Sequence, residues 1–126
     1  MSTHILIVED EAITSDSLRY SLSRQGYEVS IAATGAAALE RFRDEDPDLI
    51  VLDVMMPDKD GYAVARELAK DAKLSEIPLI MLTAVVDHIG STHYSHADGK
   101  DLVADDYFQK PVDPEALVQR ITELVG

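Results

Sequence analysis

Four short runs of the chain each end in a residue able to do chemistry. Glu9 and Asp10 follow Ile5–Val8, Asp53 follows Leu49–Leu52, Thr83 follows Leu79–Leu82, and Lys110-Pro111 follows Asp106–Gln109. If these runs are neighbouring parallel strands, their carboxyl ends share the sheet edge at which open α/β sheets bind ligands. Three carboxylates, a hydroxyl and an ammonium then converge. Two carboxylates about 4 Å apart repel by ~4 kcal/mol at an effective dielectric of 20. Such a cluster needs cationic compensation. Lys110 supplies one charge, and a hard divalent cation with oxygen ligands is the natural second. Mg2+ suits a site of one or two carboxylates that also faces a phosphate.

The elements that must position these residues alternate along the chain. His4–Val8 is an unbroken apolar run, the pattern of a strand buried on both faces. Ala12–Gln25 places Ile13, Leu18 and Leu22 in a helical pattern that stops at Gly26. Tyr27–Ala32 predicts a weaker strand, interrupted by Glu28 and Ser30. Gly35–Arg43 is alanine-rich, sets Leu39 and Phe42 three apart and ends before Pro47. Gly61–Ala72 predicts a helix with Tyr62, Ala65, Leu68 and Ala69 on one side. Leu79–Leu82 and Asp106–Gln109 predict the fourth and fifth strands. Asp113-Pro114 opens a last helix as N-cap and first-turn proline, with Leu117, Ile121 and Leu124 at helical spacing. Residues 85–104 have little apolar periodicity, and only topology asks for a helix there. Strands alternating with helices imply right-handed crossovers onto a parallel sheet. The fold class is α/β: one domain over residues 1–126, a doubly wound five-stranded parallel sheet flanked by five helices.

Composition narrows the function. Twenty-four acids against eleven Lys and Arg leave a net charge of −13. That balance opposes binding to a nucleic-acid backbone or an anionic membrane. Hydrophobic residues at 46% suffice for a folded core. The absence of cysteine excludes disulfides, thiolate zinc sites and thiol catalysis. No basic n-region with a long apolar stretch opens the chain, and no run approaches ~20 apolar residues. The expectation is a soluble, cytoplasmic domain without direct nucleic-acid or membrane contact.

The motifs ILIVEDE at 5–11, DVMMPDKDG at 53–61, Thr83-Ala84 and DDYFQKP at 105–111 resemble, in order and spacing, the receiver domains of two-component response regulators. The likeness covers essentially the whole chain. It implies a flavodoxin-like, CheY-like fold, with Asp53 as phosphoacceptor for a phosphohistidine on a sensor histidine kinase or a phosphotransfer protein. It further implies Mg2+ held by Asp10, Asp53 and the backbone carbonyl of Met55, with Glu9 acting through the metal's waters. By the same resemblance, Lys110 pairs with Asp53 and then with the phosphoryl oxygens, while Thr83, next to Ala84, bonds the phosphoryl group. Tyr107 would turn inward as Thr83 moves, and Pro57, Gly61 and Pro111 would set loop geometry. The output would be control of an unidentified protein target, and the only catalysis would be the domain's own phosphorylation and dephosphorylation.

Plainer readings stand beside these. Glu9 and Asp10 could cap the first helix, and Tyr107 could be an ordinary aromatic. His93 and His96, three apart and near His88, invite a metal, but without thiolates a solvated face is the better reading. A phosphatase of the haloacid dehalogenase type needs a second Asp where Met55 stands. A silent pseudo-receiver should have lost the acceptor, the lysine or the acidic pair, and all are present. The stretch from Thr83 to Lys110 is about one helical turn longer than usual for receivers, and Val103 replaces a common glycine. We therefore expect that the domain does not form the common receiver dimer. Apolar Met55 and Val85 near the acceptor and Thr83 predict slow self-dephosphorylation.

Overall fold

The computed structural model describes residues 3–54, 61–72, 74–83 and 104–125. Its strands are β1 (His4–Val8), β2 (Glu28–Ala32), β3 (Leu49–Asp53), β4 (Leu79–Thr83) and β5 (Asp106–Gln109). They pair in parallel in one sheet of order β2-β1-β3-β4-β5. Among the described residues four helices flank it: α1 (Ala12–Arg24), α2 (Gly35–Glu45), α3 (Gly61–Lys70) and α4 (Pro114–Val125). The doubly wound sheet is the expected one. The helix anticipated within 85–104 lies outside the described residues, as do Met55, Pro57, Ala84, Val85, His88, His93, His96 and Val103.

The sheet divides the core into two layers, because successive strand side chains point to opposite faces. Leu6, Val8, Ile50, Leu52 and Met81 pack with Phe42 of α2 and with Tyr62, Ala65 and Leu68 of α3. Ile5, Ile7, Leu49, Val51, Ile80 and Leu82 pack with Leu18 and Leu22 of α1 and Leu117 and Ile121 of α4. Covered on both faces, β1, β3 and β4 must read as unbroken apolar runs, and they do.

Two apolar residues fall on the wrong side. Ile13 is 87% exposed. It precedes Leu18 by five residues, about 500° around a helix, so it cannot share that buried stripe. Ser15 occupies the inward position instead, its hydroxyl donating to the Ala12 carbonyl at 3.2 Å. In α3, Ala69 is exposed and Val64 is buried.

At the amino ends of the strands a polar network ties β1 and β2 to α2. The Ser30 hydroxyl donates to Glu45 Oε1 at 2.6 Å, and Arg41 donates to Glu45 Oε2 at 2.6 Å. His4 Nε2 lies 2.7 Å from Ser30 Oγ, and the His4 amide donates to Asp48 Oδ2 at 2.8 Å. The opposite end of the sheet is where the winding reverses. β2 lies on one side of β1 and β3 on the other. The helices leaving β1 and β2 cover opposite faces, so the carboxyl ends of β1 and β3 border a crevice.

Candidate functional site

The ladder itself fixes the functional backbone. Asp53 and Thr83 are the last residues of β3 and β4 rather than the first beyond them. Asp53 pairs with Leu82 and Thr83 with Gln109. The Glu9 amide extends β1 by donating to the Ala32 carbonyl at 3.0 Å. The Lys110 amide donates to the Thr83 carbonyl at 2.8 Å, and a cis peptide joins Lys110 to Pro111. Gly61 brings the start of α3 onto the end of β3. A Cβ there would strike the Asp53 carbonyl oxygen and sit 2.5 Å from Val54 Cα, while the Gly61 amide donates to the Val54 carbonyl at 2.9 Å.

Around this frame the charged groups meet. Lys110 Nζ donates to Asp53 Oδ2 at 3.1 Å and lies 2.9 Å from Glu9 Oε1 in an ion pair. It is also 3.6 Å from Glu11 Oε1. Glu9 and Asp53 are each 1% exposed. Glu9 Oε2 accepts the Glu11 amide at 3.1 Å, whereas its buried Oε1 has the charge of Lys110 beside it but no aligned hydrogen bond. Burial pushes the Glu9 carboxyl up to about 7, outweighing the nearby ammonium, and the Asp53 charge adds to the rise. Burial alone would lower Lys110, but attraction to Glu9 and Asp53 outweighs it and holds the ammonium above its usual value.

The donor set fits a hard divalent cation. Glu9, Asp10 and Asp53 each offer a carboxylate oxygen, all within 4.8 Å of one another. One lysine, beside Glu9 and Asp53, does not neutralise three such charges. All-oxygen donors with one exposed member suit Mg2+ with retained water. The plain helix-cap reading does not hold. Glu11 occupies the N-cap position of α1, and its side chain makes no cap hydrogen bond.

Of the other expected residues, Thr83 is half-buried and joined to Lys110 through the backbone, its hydroxyl donating to the Phe108 carbonyl at 3.5 Å. Tyr107 is 42% exposed on the edge strand β5, opposite Met81, and is turned outward. Asp10, Asp53, Lys110 and Pro111 line an open cleft of about 740 Å³. Glu11, Ile13 and Thr14 line it too, and sequence reasoning gave none of them a role. The third acid of Glu9-Asp10-Glu11 and the mis-phased Ile13 were the available signals.

Comparison with known proteins gives a consistent picture. The family model of the response regulator receiver domain matches residues 5–122. The chain is 47% identical over 121 residues to the "Probable transcriptional regulator ycf27" of Cyanophora paradoxa, covering 96% of this chain and 47% of that protein. It thus spans about half the length of the curated relatives it matches. A CheY-like response regulator receiver domain protein from Methanospirillum hungatei has a TM-score of 0.81 at 32% identity, with 98% of this chain and 93% of that chain covered. The receiver domain of a sensor histidine kinase from Pseudomonas aeruginosa has a TM-score of 0.85 at 25% identity, with coverage of 100% and 99%. That structure holds a magnesium ion coordinated in its active-site cleft.

Proposed function

The chain belongs to the response regulator receiver domain family, and from that premise we propose that it is a phosphorylation-dependent switch of a two-component or phosphorelay system. The whole of residues 1–126 is read as one such domain. The observation that carries the proposal is the convergence of Glu9, Asp10 and Asp53 within 4.8 Å, with Lys110 Nζ 3.1 Å from Asp53. Asp53 is the acceptor. One of its carboxylate oxygens forms a new P–O bond as the P–N bond to a donor phosphohistidine breaks, and the electron pair leaves with the imidazole. The donor belongs to a sensor histidine kinase or a phosphotransfer protein.

Phosphoryl transfer asks the protein for in-line positioning and neutralised oxygens more than for covalent help. Lys110 already stands at the acceptor and can follow the phosphoryl oxygens once Asp53 is esterified. Thr83, held on the rung beside Lys110, supplies a neutral donor. Asp10, Asp53 and the Met55 carbonyl would hold Mg2+, with Glu9 reaching it through water. When bound, the metal neutralises charge on the acceptor and the transferred group. Tyr107, outward here, is proposed to move in when Thr83 engages the phosphoryl group, so that two arrangements of β4 and β5 carry the signal to a protein target. The domain acts catalytically only on itself, and apolar Met55 and Val85 would make the adduct long-lived. We read the chain as cytoplasmic, and its −13 charge supports work through protein contacts rather than direct nucleic-acid or membrane binding.

Intact-mass measurement after incubation with acetyl phosphate tests this reading. One added phosphoryl group is expected, dependent on Mg2+ and absent from Asp53→Asn. Absence of the adduct, together with no Mg2+ or fluoroberyllate binding, would make the domain a silent interaction module.

A further inference from the structure

Glu11 does something unusual for its place in the fold. An N-cap side chain normally accepts a backbone N–H from the first turn of its helix. Glu11 makes no such bond. Its Oε1 instead accepts the hydroxyl of Thr14 at 3.1 Å and lies 3.6 Å from Lys110 Nζ. Its amide is meanwhile pinned to Glu9 Oε2 at 3.1 Å. An acid whose side chain is 63% exposed is thus folded back over the cleft by a threonine one turn along. An ammonium has three donors. Lys110 Nζ lies 2.9, 3.1 and 3.6 Å from oxygens of Glu9, Asp53 and Glu11, with its aligned hydrogen bond to Asp53.

We propose that Glu11, clamped by Thr14, is a positioning residue that shares the Lys110 ammonium with Asp53 and restrains the entry of anionic phosphodonors. The inference rests on the receiver reading of the site and adds a control on it. Glu11 stands at the mouth of the same cleft as Asp53 and Lys110. Its charge draws the ammonium toward the rim and opposes a donor that brings further negative charge. Glu9 and Asp53 are fixed by burial, whereas Glu11 is exposed and held by a single hydroxyl. It is the one of the three whose hold on Lys110 can be relaxed without disturbing the strands.

The test is the rate of adduct formation with acetyl phosphate across donor concentrations, for wild type, Glu11→Gln and Thr14→Val. For Glu11→Gln, the half-saturating donor concentration should fall about three- to tenfold, since each unit of donor charge ~6 Å away in water-like dielectric corresponds to a factor of about three and acetyl phosphate carries up to two. The half-saturating concentration should shift more than the limiting rate does, and the effect should shrink in high salt. Thr14→Val keeps the net charge and removes only the clamp, so a shift in the same direction is the mark of positioning. An unchanged concentration dependence in Glu11→Gln overturns the proposal. So does an unshifted Thr14→Val, which would leave Glu11 as charge without position. If wild type forms no adduct, it is the receiver reading that fails.

Discussion

Asp53 stands in a crowd of carboxylates. Asp53 is 1% exposed, has the Glu9 and Asp10 oxygens within 4.8 Å and the Lys110 ammonium at 3.1 Å. Asn keeps the shape of the side chain and removes one of three crowded carboxylate charges. Asp53→Asn should therefore stabilise the metal-free protein by about 1 kcal/mol, a Tm rise of roughly 3–6 °C, while abolishing the adduct. Thermal unfolding in chelator reads this directly, and a fall in Tm would mean that the pairing with Lys110 dominates. The neighbouring Glu9 carboxyl is raised to about 7 by burial. The convergence of these acids was legible from their positions after apolar runs. The ion pair of Glu9 with Lys110 was not, because it depends on side-chain direction at a strand end rather than on spacing. Glu11 was hidden for a similar reason: its orientation is set by Thr14 and by a lysine far along the chain.

Among the elements, those buried on both faces announced themselves most clearly. β1, β3 and β4 are continuous apolar runs, and the structure reproduces them almost residue for residue. α1 was harder to read, since Ile13 counted as part of a stripe that it misses by more than a quarter turn while Ser15 filled the inward position. The junction of β3 and α3 rests on one residue. Gly61→Ala would drive a methyl into the Asp53–Val54 backbone. We expect a loss of about 1–3 kcal/mol in urea unfolding, with slower phosphorylation as β3 shifts. At the other end of the sheet, Glu45 joins α2 to the first two strands. The Ser30 hydroxyl, above all, and then Arg41 and His4 hold its carboxyl below the ordinary value of 4.5. A depressed carboxyl stabilises the fold above its unfolded value, and that contribution is lost as pH falls through the folded one. The stability gap between wild type and Glu45→Gln should therefore be full above pH 4.5 and close below it. Equilibrium denaturation across that range checks the sign.

For the molecule as a whole, a charge of −13 on 126 residues produces self-repulsion that ordinary salt can screen. Raising monovalent salt should raise Tm even without a divalent ion. Millimolar Mg2+ should raise it further at matched ionic strength, because a ligand of the native state alone stabilises by mass action. Differential scanning fluorimetry separates the two terms, and the Mg2+ increment should vanish in Asp10→Asn while the salt increment persists. Loss of neither would place the metal elsewhere. The division of the interior into two layers by one sheet explains how so small a chain can hold three clustered carboxylates at one edge: both faces of the central strands are covered.

Thr83 and Lys110 are distant in sequence yet share one backbone rung, amide to carbonyl at 2.8 Å. Whatever chain runs between them leaves and returns through that fixed point. Insertions and deletions there can accumulate over evolution without altering the distance between hydroxyl and ammonium. A change of length there would touch partner choice and leave the chemistry behind the rung where it is.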